Sequence, residues 1–231
     1  YEMSASLVGS EMCIRDSSQS YRFIVDCMLN IPLLFWASEV TGYKKYYDAA
    51  YNHMQTSIAN IIRPDASSYH TFFFDPVTNK PLRGETHQGF SDDSSWARGQ
   101  SWAVYGLALC YHYTKEKSIL PLFERVTHYF IDHLPEDSVP YWDLIFSDGS
   151  DEPRDTSAAV VAVCGILEME KYYHNQEFLD AAEKMMTSLS EKYTTVDYPQ
   201  SNGIIKDGMY SRKHGHEPEC TCLLYTSPSP R

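Results

Sequence analysis

Residues 94–115 read SSWARGQSWAVYGLALCYHYTK. The core of this stretch, AVYGLALC, is apolar on nearly every side of a helix, which is the pattern of a buried helix. A polar turn at Lys115 leads into SILPLFERVTHYFIDHL (118–134), where apolar residues return on one face only. The same plan occurs twice more. Residues 21–42 (YRFIVDCMLNIPLLFWASEVTG) precede YKKYYDAAYNHMQTSIANII (43–62), and residues 153–174 (PRDTSAAVVAVCGILEMEKYYH) precede QEFLDAAEKMMTSLSEKY (176–193). The turns fall near Gly42, Lys115 and Asn175. Recurrence of one supersecondary unit predicts a helical repeat array. Buried first helices and amphipathic second helices predict an inner and an outer ring, an all-α toroid. Six pairs close such a ring, and three are present.

Two insertions interrupt the repeats. SSYHTFFFDPVTNKPLRGETHQGF (67–90) has an aromatic run from Tyr69 to Asp75 and a turn signal in PVTNK, and it predicts a small β-hairpin. PEDSVPYWDLIFSDGSDEPRD (135–155) predicts a long loop. Each precedes an inner helix, so both are expected at one mouth of the toroid, beside the positive ends of the inner-helix dipoles.

Composition narrows the function. The 231 residues are 43% hydrophobic, enough for one sizeable core. A net charge of −12 opposes a broad nucleic-acid surface, so an anionic ligand needs local cations. No apolar run is long enough to span a membrane. Cys27, Cys110 and Cys164 sit in apolar helical patterns and are expected to act as small hydrophobes. Cys13, Cys220 and Cys222 lie near the ends, without metal-site spacing. Residues 1–17 and 220–231 have no usable period and resemble translated sequencing-adaptor read-through. They are set apart from the partial domain expected over 18–219.

Five residues could carry chemistry. Asp26 is expected within the first inner helix, either satisfied by Asn30 or an outer-helix cation, or kept protonated by desolvation. Arg98 and Trp102 share a helix face. The guanidinium either awaits a ligand carboxylate or pairs with Asp92 or Asp93. His70 and Gln88 could line the mouth. The pair His214 and His216 lacks a third metal ligand. Asp155 reads as the N-cap of the third inner helix, with Glu152 and Arg154 as a loop ion pair.

Taken together, DCMLNIPLLFWAS, YHTFFFDPVT, HQGFSDDSSWARGQSWAVYGLAL, VPYWDL and DEPRDTSAAVVAVCGILE resemble glycoside hydrolase family 88, the unsaturated glucuronyl hydrolases, over roughly 18–219. The resemblance implies an (α/α)6 barrel acting on lyase-generated oligosaccharides that end in a 4,5-unsaturated uronic acid. It implies hydration of the C4=C5 vinyl ether, with Asp26 as general acid and base. His70, Gln88, Arg98 and Trp102 would bind the uronate, with neither cofactor nor metal. A second essential aspartate and the helices that select sulfated sugars are expected outside this stretch. The chain alone is therefore expected to be inactive and prone to aggregate. A bacterial cytoplasmic or periplasmic location suits such an enzyme. The related unsaturated rhamnogalacturonyl hydrolases, a toroid that only binds glycans, and a ligand-free repeat are the alternatives.

Overall fold

The computed structural model describes residues 21–198, 203–209 and 211–212. Three antiparallel helix pairs follow one another: α1 (Cys27–Thr41) with α2 (Lys44–Ile61), α3 (Ala97–Thr114) with α4 (Ile119–Asp132), and α5 (Thr156–Glu170) with α6 (Gln176–Lys192). Left-handed residues stop two of the inner helices. Gly42 has φ 72° and donates its N–H to Ser38 O, and Lys115 has φ 53° and donates to Tyr111 O. Asn175 starts α6 by accepting from the N–H groups of Glu177 and Phe178.

Burial separates the two rings. In α4 the buried residues are Ile119, Phe123, Val126, Thr127 and Phe130, a single stripe; α6 buries Phe178, Ala182, Met185, Ser188 and Leu189 in the same way. In α3 and α5 most positions are covered. Helix α1 differs from its apolar sequence pattern: it buries Met28, Ile31 and Phe35 but leaves Leu33, Trp36 and Val40 exposed. Among the described helices, only α2 and α3 pack extensively on it. Cys27 and Cys110 are buried as expected, whereas Cys164 is exposed on α5. Cys13, Cys220, Cys222, His214 and His216 lie outside the described residues, as do 1–17 and 220–231. No described helix is long and apolar enough to cross a membrane.

Glycines set how closely the inner helices approach. A Cβ at Gly106 of α3 would lie 2.4 Å from Met28 Cβ and 3.1 Å from the Met28 carbonyl on α1. A Cβ at Gly165 of α5 would lie 2.8 Å from the backbone of Tyr105 on α3. Helix α3 thus contacts both neighbours through positions where only hydrogen fits.

The expected hairpin is part of a three-stranded antiparallel sheet in the order β1 (Arg22–Ile24), β2 (Thr71–Phe74), β3 (Pro81–Glu85). Strand β1 corrects the expectation that the first helix starts near position 21. The run RFIV is too short to separate strand from helix by period, and the aromatic strand beside it decides the outcome. The register pairs Arg22 with Phe73 and Ile24 with Thr71, then Phe73 with Arg83 and Phe72 with Gly84. The turn forms as predicted: Asp75 Oδ1 accepts from Val77 N, Thr78 N and Thr78 Oγ1, and Asn79 takes φ 57°.

Two outcomes follow. Gly165→Ala gains up to about 1 kcal/mol of helix propensity. It meets fixed backbone rather than a movable side chain, so overpacking of about 1–3 kcal/mol prevails. The variant is expected to unfold at lower denaturant with an unchanged slope. The exposed row Leu33, Trp36 and Val40 is expected to make the 231-residue chain self-associate. Light scattering should show this association weakened by Leu33→Lys with Trp36→Lys, and equal scattering by both chains would remove the row as its cause.

Candidate active site

The two insertions meet at the N-terminal ends of the inner helices, as their positions in the sequence predict. Short bridges pair Trp96 with Asp143, Tyr141 with Arg154, and Asp155 with Gly208. Asp143 is fully buried between the two insertions. Its Oδ2 accepts from Phe90 N at 2.8 Å and Ser94 Oγ at 2.7 Å, and its Oδ1 from Ile145 N at 3.2 Å. Burial raises its pKa, and these hydrogen bonds oppose the rise. A Cβ at Gly89 would lie 2.9 Å from Asp143 Oδ2, so glycine is needed for this approach. The loop role of Asp143 is absent from the sequence reading. Only its place in VPYWDL hinted at it.

Asp26 stands at the N-cap of α1, one residue before the helix, rather than inside it. Its φ and ψ of −63° and −15° are helical, whereas a capping side chain requires an extended residue. The carboxylate therefore does not cap. Asn30 bonds the Asp26 backbone carbonyl at 3.3 Å rather than the carboxylate. Among the described residues Asp26 has no ion-pair partner, and its Oδ1 is buried without a hydrogen bond. Desolvation raises the pKa to about 7, offset only in part by a hydrogen bond with its own backbone.

His70 immediately precedes β2 and is 3% exposed. Its carbonyl accepts from Val25 N at 2.9 Å, which fixes it beside the segment carrying Asp26. Its Nδ1 accepts from His87 N at 3.0 Å and Gln88 N at 3.4 Å. Two donors on Nδ1 place the proton of the neutral ring on Nε2. Gln88 is buried, and its carbonyl accepts from Ser211 Oγ.

Trp96, which the sequence reading did not single out, joins these groups. Its ring lies 4.9 Å from that of His70 and 5.2 Å from that of Trp102, the latter at 90°, and the Arg98 guanidinium carbon lies 5.9 Å from its centroid. Gly99 allows this packing: a Cβ there would lie 3.1 Å from Trp96 and 3.3 Å from Val25.

The anion that meets Arg98 is on the chain itself. Arg98 Nε donates to Asp155 Oδ2 at 3.0 Å and a terminal nitrogen donates to Asp155 Oδ1 at 2.9 Å. Both side chains are buried. Asp155 thus stands in place of the expected Asp92 or Asp93 partner. Asp155 also caps α5 as predicted, accepting from Ser157 N. Glu152 and Arg154 do not pair. Glu152 binds Arg212 and the Trp142 indole N–H, while Arg154 binds Asp137 at 3.3 Å and the Val139 carbonyl at 2.7 Å. Among the described residues no cluster of His, Cys, Asp or Glu is placed to hold a metal ion.

Contacts through Trp96 and the His70 ring link His70, Gln88, Arg98 and Trp102, and the Val25 N–H to the His70 carbonyl ties them to the segment that carries Asp26. A carboxyl that burial keeps protonatable can act as a proton donor to a group bound near it.

Comparison with known proteins agrees in fold. The chain is 50% identical over 202 residues to an unsaturated chondroitin disaccharide hydrolase of Streptococcus pneumoniae, covering 85% of this chain and 51% of that protein. A crystal structure of unsaturated glucuronyl hydrolase from Streptococcus agalactiae superposes with a TM-score of 0.85 at 47% identity, covering 88% of this chain and 53% of the other. A mutant of the S. agalactiae protein complexed with dGlcA-GalNAc6S superposes with a TM-score of 0.77 at 47% identity, covering 85% and 53%. The chain spans about half the length of these relatives. The fold is that of their α/α toroid. The model of Glycosyl Hydrolase Family 88 matches residues 11–223, and the chain belongs to that family.

Proposed function

We propose that the protein of which this chain forms a part is an unsaturated glucuronyl hydrolase. Its substrates would be oligosaccharides ending in a 4,5-unsaturated uronate, of the glycosaminoglycan type. The observation that carries this reading is Asp26, a carboxyl with a buried, unbonded oxygen and a pKa of about 7 at the mouth where the insertions meet. Near neutral pH it is present in both forms, as a residue that first gives and then takes a proton must be.

In this mechanism the Asp26 carboxyl protonates C4. The π electrons of C4=C5 form the new C4–H bond, and the cation at C5 is shared with the ring oxygen. Water adds at C5 and passes a proton to the Asp26 carboxylate. The hemiketal formed at C5 opens to a ketone, and the hemiacetal left at C1 then releases the neighbouring sugar. The two-carboxylate displacement of most glycosidases does not apply. Trp102 supplies an apolar wall for the uronate ring. His70 and Gln88 line the same side. Arg98 supplies a positive group whose orientation Asp155 fixes. A toroid that only binds glycans gains nothing from an acid kept in this state.

The test uses the full-length protein and unsaturated chondroitin disaccharide, following loss of the ultraviolet absorbance of the conjugated uronate. Asp26→Asn is expected to lower the rate by about 10²–10⁴. Full activity in the variant would remove Asp26 from the chemistry, and no hydration of any unsaturated uronide by the parent would favour a binding module. Because protonated Asp26 acts first, the rate should fall as pH rises through about 7.

Stability gives a second readout. The folded pKa of Asp26 is raised, so the folded state binds more protons than the unfolded chain, and stability falls between the ordinary carboxylate range and about pH 7. The increase in Tm from Asp26→Asn should therefore be larger at about pH 8 than at about pH 4. An equal increase at both would show that the carboxyl is not held protonated by the fold.

A further inference from the structure

Beside the mouth, the small sheet carries a cleft of about 520 Å³ that the proposed reaction does not use. Arg22, Phe73 and Arg83 stand opposite one another on β1, β2 and β3, so all three share one face of the sheet. The guanidinium carbons lie 5.4 Å and 4.8 Å from the centroid of the same Phe73 ring. Tyr21, Phe74, Pro76, Leu82 and the carboxylate Glu85 complete the walls. Strand spacing puts the two arginine backbones roughly 10 Å apart.

With two arginines against the single carboxylate of Glu85, the cleft keeps a positive balance in a chain of net charge −12. Arg83 has an ion-pair partner in Glu85, but its side chain remains 60% exposed. Arg22 contacts the His87 imidazole rather than a carboxylate, and its cation is not neutralised there by an ion pair among the described residues. That contact links the cleft to the site, because the His87 backbone N–H is one of the donors to His70 Nδ1. Two cations over one aromatic ring form a surface with flat apolar area for a sugar and charge for its anionic groups. The volume lies within the range of small-ligand clefts.

We propose that the Arg22–Phe73–Arg83 cleft is a subsite for the sulfate or carboxylate groups of the sugars that follow the unsaturated uronate. The assignment deepens the hydrolase reading and rests on it. It makes longer anionic oligosaccharides better substrates than the disaccharide, by a contribution that salt weakens.

The experiment compares the full-length protein with Arg83→Ala and with Arg22→Ala/Arg83→Ala. Two quantities are measured: kcat/KM for an unsaturated chondroitin sulfate tetrasaccharide relative to the disaccharide, and calorimetric binding of a saturated chondroitin sulfate tetrasaccharide, which cannot react. The tetrasaccharide-to-disaccharide ratio should fall about tenfold in the double variant. Binding of the saturated tetrasaccharide should weaken in step, and the loss should shrink at high salt. An unchanged ratio with unchanged binding would overturn the subsite and leave the arginines as guards of exposed sheet edges. If the parent hydrates neither substrate, yet binds the saturated tetrasaccharide in an arginine-dependent way, the hydrolase reading fails while the anionic cleft stands. Circular dichroism melts and Arg83→Lys, which keeps the charge, separate loss of binding from loss of fold.

Discussion

The buried pair of Arg98 and Asp155 is the constraint on which the mouth of this half-toroid depends. Two ions sealed from water cost several kcal/mol each, and only a two-pronged geometry with further hydrogen bonds offsets that cost. Both conditions are met. The guanidinium donates twice, and Asp155 also accepts from Ser157 N and Ser157 Oγ. Removing either partner would strand a buried charge, so the N-terminal ends of α3 and α5 are held together. Those helices make the most extensive helix–helix contact among the described residues, and Gly165 allows it. The ion pair fixes one end of the contact and the glycine fixes how closely the helices lie.

From that fixed pair the rest of the site follows in order. Arg98 lies over Trp96, whose ring meets His70 and Trp102. Trp96 is bridged to Asp143, and Asp143 draws the loop around Gly89 and Phe90 onto the second insertion. That loop carries the N–H groups of His87 and Gln88, which set the tautomer of His70. Sites built this way are stiff because each side chain is oriented by another that is itself buried. An Arg98 that waited for the substrate alone would be a buried charge in the empty protein, and Asp155 removes that cost.

Much of this was legible in the sequence, and the unread parts share a cause. The three helix pairs could be read because the outer helices keep a one-sided period of 3.6 residues, as in the 14 residues of α4, and the inner ones stay apolar nearly all round, as in the 18 residues of α3. The aromatic run and the PVTNK turn announced β2 and its connection. Strand β1 could not be read because three residues carry no period, and what decides them is a partner strand far along the chain. The roles of Asp155, Asp143 and Trp96 were hidden for the same reason. Each is defined by contacts across tens of residues, and local spacing speaks only of the N-cap that Asp155 also provides. The five proposed site residues were found by type and by resemblance, and the structure supplies the links between them.

Asp26 shows how a local backbone choice sets chemistry. An aspartate preceding a helix ordinarily caps it, and the N–H groups of the first turn and the helix dipole then favour the carboxylate. Here β1 delivers the chain to α1 through a tight turn, with Met28 N bonded to Val25 O and Leu29 N to Asp26 O. Asp26 therefore takes helical dihedral angles before the helix begins, and its side chain makes no capping hydrogen bond to the first-turn N–H groups. Without those donors, burial outweighs the dipole, and the acid form persists to about pH 7. The sheet insertion thus has a part in the proposed chemistry, because β1 pairing is what turns an aspartate in a capping position into an acid.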